Sequence, residues 1–192
     1  MGLLEHLIIS LNGWDLSVQH YIIAKHQPEL ITLFAWVTSW GNSATIIALC
    51  ALASAGLAAQ QRWGAALILD AGLTAAWITM ALLKLWFGRS RPLGEHLVYA
   101  GGYSFPSGHA MLSMVLYGFL GYLLSCRLSG WMRWAVRASA GLMILMIGFS
   151  RIYLNVHYSS DVIAGFIIGS IFLLLMIWAY SKTDKGPRQL WR

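Results

Sequence analysis

The sequence predicts an all-α membrane protein: a polytopic helical bundle of about five spans, preceded by N-terminal helices lying at one interface. Three observations carry this expectation. Of 192 residues, 58% are hydrophobic and only 10% charged, whereas a soluble domain carries about 25% charged residues. Five apolar stretches, roughly 42–60, 65–84, 108–126, 134–150 and 160–180, each approach the ~20 residues that a bilayer requires. The 10 Trp and 8 Tyr suit the aromatic belts of membrane interfaces. A chain this poor in polar groups cannot cover a soluble globule of its size, so residues 1–192 read as one membrane-embedded domain.

The first 40 residues differ from the rest. Met1 to Leu11 is apolar but short, and Asn12-Gly13 is expected to break it. Asp15 to His26 mixes apolar residues with Gln19, His20, Lys25 and His26, and Pro28 opens a further short run to Trp40. These pieces read as short amphipathic or re-entrant helices at one interface. A competing reading joins 28–40 to 1–11 as a sixth span. Met1-Gly2 is followed by no basic n-region, and His6 stands where N-myristoylation needs Ser or Thr, so neither a signal peptide nor a lipid anchor is expected.

Trp40 and Trp63 bracket the first long stretch at plausible interface depths. Gly165 and Gly169, four apart in the last, would let a neighbouring helix approach closely. Asp70 lies about 12 Å along its helix from Arg62 and reads as a structural or interhelical group. Glu95 and His96 read as solvated loop residues. Cys50 and Cys126 both fall in apolar segments and read as small buried hydrophobes, not as a disulfide or a zinc site.

The net charge of +6 could suggest nucleic acid. The cations instead sit in short loops between apolar spans, which is a topology signal. With five spans, Arg62, Arg127, Arg133, Arg137, Lys182, Lys185, Arg188 and Arg192 fall on one side. Lys25, Lys84, Arg89, Arg91 and Arg151 fall on the other. The richer side is expected to be cytoplasmic, which turns the 85–107 and 151–159 connections outward.

Three polar clusters sit at helix ends on that outer side: Lys84 with Arg91-Pro92, then Pro106-Ser107-Gly108-His109, then Ser150-Arg151 with His157 and Asp161. Ionisable groups at a membrane edge lean toward function, although Lys84, Arg89 and Arg91 taken alone could simply snorkel. An Arg fork and a Lys point charge both suit phosphate oxygens. Ser107 and Gly108 open a helix whose free N–H groups and positive dipole end favour an anion. His109 in the first turn can donate a proton to a departing oxygen. His157 and Asp161, four apart, would share one helical face, with the carboxylate setting the imidazole tautomer. Two His and a carboxylate could bind zinc or iron, but Lys84, Arg91 and Arg151 would crowd such a cation, so no metal and no other cofactor is expected.

Taken together, Lys84-x6-Arg91-Pro92, Pro106-Ser107-Gly108-His109 and Ser150-Arg151-x5-His157-x3-Asp161 resemble the three-part signature of the type 2 phosphatidic acid phosphatase family. The arrangement is also similar to the pocket of vanadium haloperoxidases and class A bacterial acid phosphatases. The resemblance covers residues 84–161, with 13 residues between the first two motifs and 40 between the last two. It implies that His157 is the nucleophile, Asp161 orients it, and His109 serves the leaving group and then water. Lys84, Arg91, Ser107, Gly108 and Arg151 would hold the phosphoryl oxygens. The implied partner is a membrane lipid reaching the pocket sideways at the outer face of a bacterial-type cytoplasmic membrane. The substrate first expected is undecaprenyl diphosphate, with phosphatidylglycerophosphate or phosphatidic acid as the alternative. A vanadate-dependent peroxidase and a non-catalytic lipid-binding or transport protein are the readings from other classes.

Overall fold

A computed structural model describes residues 3–183, with side chains described from residue 12 onward. The expectations resting on Met1-Gly2, on His6 and on the tail cations Lys185, Arg188 and Arg192 lie outside the described residues. The described chain is helical, without strands: α1 Leu3–Ile23, α2 Pro28–Ser39, α3 Ser43–Ala59, α4 Trp63–Phe87, α5 Gly108–Ser125, α6 Gly130–Tyr153 and α7 Ser159–Ser181.

Among the described residues four helices, α4 to α7, are long and apolar enough to cross a membrane. The stretch at 42–60 forms α3, only 17 residues long. Taken together with α2, to which it is joined by a 44° bend, it is long and apolar enough to count as a fifth span if the bent pair crosses as one. The break has a local cause: Asn42 caps α3, its Oδ1 accepting from the Thr45 N–H at 2.8 Å. The segment 28–40 forms α2 and the start of the bend that leads into α3.

The N-terminal region departs from expectation in a second way. Asn12-Gly13 does not break α1, which runs unbroken for 21 residues. A mid-helix glycine costs about 1 kcal/mol, and tertiary bonds offset that cost. Asp15 and Gln19 on α1 are buried, and Gln19 Nε2 donates to Asn155 Oδ1 at 2.7 Å.

In hydrocarbon, helices gain little from apolar burial alone, so close backbone approach and interhelical hydrogen bonds hold them together. Helix α5 is the hub: Met111, Val115, Leu116 and Phe119 are fully enclosed by neighbours that include Leu69 and Ala76 of α4 and Met176 and Tyr180 of α7. The Gly165/Gly169 pair makes the contact expected of it. A Cβ at Gly165 would stand 2.7 Å from the Ser107 carbonyl, and one at Gly169 would stand 2.7 Å from the Met111 carbonyl. Asp70 bridges helices as expected, accepting from Ser54 Oγ at 2.5 Å and Cys50 Sγ at 3.3 Å. A second cluster packs Ile22 of α1 and Phe34 of α2 against Tyr153, Leu154 and Val156. It roofs the end of the bundle where the polar residues gather. Leu67, Leu85 and Trp86 are among the large apolar side chains left facing outward, as a lipid solvent requires.

Candidate active site

The ends of α4 and α6 and the starts of α5 and α7 meet at one end of the bundle. They surround a cavity of about 460 Å³ whose walls include Lys84, Arg91, Gly108, His109, Arg151 and His157. Residues that are 73 positions apart in sequence thus share one small space.

Each is placed by a local device. Helix α4 stops at Gly88, whose left-handed φ of 54° and N–H bond to the Lys84 carbonyl end the helix. Lys84 therefore lies in the last turn, where Nζ donates to the Tyr103 carbonyl at 2.5 Å. Arg91 follows in the loop. Its Nε and Nη2 donate to the carbonyls of Gly102 and Gly101 at 3.0 and 2.7 Å, and Nη1 donates to Val156 at 2.6 Å. These carbonyls aim the guanidinium, with Nη1 3.3 Å from His157 Nε2.

Ser107 is the N-cap of α5. Its N–H donates to the Asp161 carbonyl at 3.0 Å, which ties the start of α5 to the start of α7 through the close approach at Gly165. Ser107 Oγ is buried without a hydrogen-bond partner. Arg151 is 3% exposed. Its Nη1 donates to Thr38 Oγ1 on α2 at 2.7 Å, while its Nε is buried and unpartnered. Orphaned buried donors are costly, and two of them among cations at a helix N-terminus suit an anionic ligand. Gly41, at the α2–α3 bend, lies against His109, for a Cβ there would stand 3.0 Å from the ring.

His157 does not share a helical face with Asp161, contrary to the sequence expectation. It precedes the N-cap Tyr158, in the loop before α7, and Asp161 is the third residue of that helix. The pair still meets, His157 Nδ1 lying 3.4 Å from Asp161 Oδ2, because Asp161 folds back over the helix start and accepts from the Tyr158 N–H at 3.0 Å. Nδ1 toward the carboxylate and Nε2 toward Arg91 and the cavity make Nδ1–H the consistent tautomer. Burial pushes the His157 imidazole down to about 3, with Asp161 opposing and Arg151 and Arg91 reinforcing. The ring is therefore neutral at ordinary pH, with an unprotonated Nε2 that faces Arg91 Nη1.

The structure adds residues that the sequence reading missed or set aside. Ser104 Oγ donates to Asp161 Oδ2 at 2.5 Å and lies 3.3 Å from His157 Nδ1. Arg89, left out of the expected site as a cation that could simply snorkel, donates to Asp161 Oδ1 and to Asp15 Oδ2, each at 2.7 Å. Thr38 belongs to a helix with no motif. The available signals were faint: an isolated acid in the apolar N-terminal region, and a serine two residues before Pro106. Glu95 and His96 stay in the loop, His96 Nε2 bonding to the Pro92 carbonyl at 2.9 Å.

Comparison with known proteins agrees with this architecture. The PAP2 superfamily profile matches residues 65–185. Phosphatidylglycerophosphatase B of Bacillus subtilis is 28% identical over 177 residues, covering 91% of this chain and 87% of its own length. The crystal structure of a transmembrane PAP2-type phosphatidylglycerolphosphate phosphatase from Bacillus subtilis superposes with a TM-score of 0.86 at 27% identity, covering 92% of this chain and 89% of that one. A shorter match, 35% identical over 75 residues, covers 39% of this chain and 32% of an undecaprenyl-diphosphatase from Sulfolobus acidocaldarius. With its helical membrane fold and a profile match over most of its length, the chain belongs to the PAP2 superfamily and is a membrane lipid phosphatase.

Proposed function

We propose that this phosphatase hydrolyses a lipid phosphate through a phosphohistidine on His157, without a metal ion, at the extracytoplasmic face of the cytoplasmic membrane. The observation that carries the reading is the His157 ring, with Nδ1 turned to a buried carboxylate and Nε2 turned to a cavity that Lys84, Arg91 and Arg151 also line. In the first step Nε2 attacks phosphorus and the bond to the lipid oxygen breaks, His109 giving its proton to that oxygen. Lys84, Arg91, Arg151, Ser107 Oγ and the N–H groups at Gly108 hold the phosphoryl oxygens as charge shifts toward the leaving group. In the second step His109 takes a proton from water, the oxygen attacks phosphorus, and the P–N bond breaks to restore neutral His157.

The head group we favour is phosphatidylglycerophosphate. The near full-length likeness to a phosphatidylglycerophosphatase supports it, and so does the cavity wall at the α2–α3 bend, where Thr38, Ser39, Asn42 and Ser43 offer partners for glycerol hydroxyls. Undecaprenyl diphosphate is the second reading, supported by the shorter match. For either lipid, a neighbouring apolar groove of about 290 Å³ is a route for the chain. It is lined by Ile46, Ile47, Leu73 and Trp77 and shares Ser43 and Leu112 with the cavity. That continuity supports lateral access between α3 and α4.

Phosphate release from purified phosphatidylglycerophosphate, phosphatidic acid and undecaprenyl diphosphate, each with and without excess chelator, tests this reading. We expect turnover of phosphatidylglycerophosphate that survives chelation. Activity lost with chelator and restored by zinc or magnesium would replace the cation cradle with metal chemistry. The face is checked separately, in a chain whose Cys50 and Cys126 are replaced by alanine. A cysteine placed at 93–104 should react with an impermeant thiol reagent outside intact cells, and one at 128–132 should not. The reverse pattern would put the site in the cytoplasm.

A further inference from the structure

Arg89 stands between Lys84 and Arg91 in sequence yet is absent from the cavity wall. Its guanidinium points to the far side of Asp161. One fork nitrogen, Nη1, donates to Asp161 Oδ1 and Ser160 Oγ, both at 2.7 Å, and the other, Nη2, donates to Asp15 Oδ2 at 2.7 Å. The Tyr158 ring lies beneath it, 4.3 Å from the guanidinium carbon. Asp15 is held in turn by the Ser160 N–H at 2.9 Å and by Ser160 Oγ at 2.5 Å. Both carboxylate side chains are fully buried.

We propose that Asp15 and Arg89, which lie outside the three-part signature, are positioning residues for phosphoryl transfer, acting on His157 through Asp161. The inference rests on the reading of His157 as nucleophile. Two functions follow from the geometry. Arg89 occupies Asp161 Oδ1, while Ser104 Oγ and the Tyr158 N–H occupy Oδ2. The carboxylate is therefore fixed in the plane that receives Nδ1–H. The second function is a matter of charge. When Nε2 gains a phosphoryl group the imidazole becomes positive, and Asp161 must stabilise that charge. An Arg paired with Asp161 alone would cancel its carboxylate. Asp15 supplies a second carboxylate to the same guanidinium, so the two buried carboxylates and the half-buried Arg89 together keep one net negative charge behind His157. Helix α1 is thereby part of the catalytic apparatus as well as a piece of the bundle.

The test uses the full chain in detergent or bilayers, with Asp15→Asn, Arg89→Lys and the double variant Asp15→Asn/Arg89→Gln. It measures kcat, KM, the single-turnover rate of phosphoenzyme formation and the thermal unfolding midpoint. Asp15→Asn leaves Arg89 paired with Asp161, so no buried charge is orphaned. It should nevertheless slow kcat and phosphoenzyme formation about tenfold or more, with KM within about twofold. The double variant restores one net negative charge and should be faster than Asp15→Asn alone. Arg89→Lys, a point charge that cannot fork to two carboxylates, should lose kcat with KM unchanged, and it carries the test should Asp15→Asn fail to fold. Wild-type kcat in Asp15→Asn or in a folded Arg89→Lys, losses confined to KM, or losses that follow only the unfolding midpoint would overturn the proposal. Wild-type enzyme that forms no phosphoenzyme would overturn the reading beneath it as well.

Discussion

Replacing His157 by alanine should lower phosphate release by roughly four orders of magnitude or more and leave the helical bundle folded. His157 is 3% exposed, yet it sits in the loop before α7 and not in the interhelical core, so its loss removes chemistry more than packing. Losing the ring also frees Asp161, but that carboxylate keeps Arg89, Ser104 and the Tyr158 N–H as partners. An uncompensated buried charge is therefore not created. Burial pushes the His157 imidazole down to about 3, so the ring is already neutral at neutral pH and a fall in rate near neutrality would belong to another group. The check is phosphate release and phosphoenzyme trapping on a purified variant of normal thermal stability. Near-wild-type release would end the assignment.

Replacing His109 by alanine should cost about 10²–10⁴ in rate with a lipid substrate, and the loss should depend on the leaving group. His109 opens α5 on the cavity wall beside Gly108. Among the described residues no carboxylate is bonded to its ring, whereas Asp161 lies 3.4 Å from His157 Nδ1. In the proposed mechanism His109 therefore passes the proton and His157 carries the phosphoryl group. With a nitrophenyl phosphate, whose leaving group needs no proton, His109→Ala should still form a phosphoenzyme, and its hydrolysis should be slow for want of a base. His157→Ala should form none with any substrate. Acid-labile phosphate trapped on His109 would show the roles to be exchanged.

Much of this was legible in the chain itself. The apolar stretches that became α4 to α7 reflect composition and length, which hydrocarbon demands whatever the partners are. The polar clusters stood out because charged groups are costly in such a chain. Lys84, Arg91, Ser107, Gly108, His109, Arg151, His157 and Asp161 could be singled out before any geometry was known. Gly165 and Gly169 announced a close helix contact, and that contact brings the Ser107 N–H to the Asp161 carbonyl.

Tertiary structure decided what the local pattern left undetermined. Asn12-Gly13 reads as a break, but the buried bonds of Asp15 and Gln19 outweigh a propensity term of about 1 kcal/mol, and α1 runs through it. The 42–60 stretch reads as a full span, but Asn42 caps a helix of 17 residues that reaches the span length only together with α2, across a 44° bend. The i, i+4 spacing of His157 and Asp161 reads as one helical face. The contact instead crosses a helix start, because the carboxylate turns back to the Tyr158 N–H. Arg89, Ser104 and Thr38 reach the site from segments whose relation to it is set only by packing: the α4–α5 loop and α2. The sequence by itself determined which chemistry the chain carries and in what solvent it folds, because composition and residue type suffice for both. Only the three-dimensional packing decided which neutral or oppositely charged neighbours hold those groups in place, because such contacts join residues as far apart as 15 and 160 and leave no periodic trace along the chain.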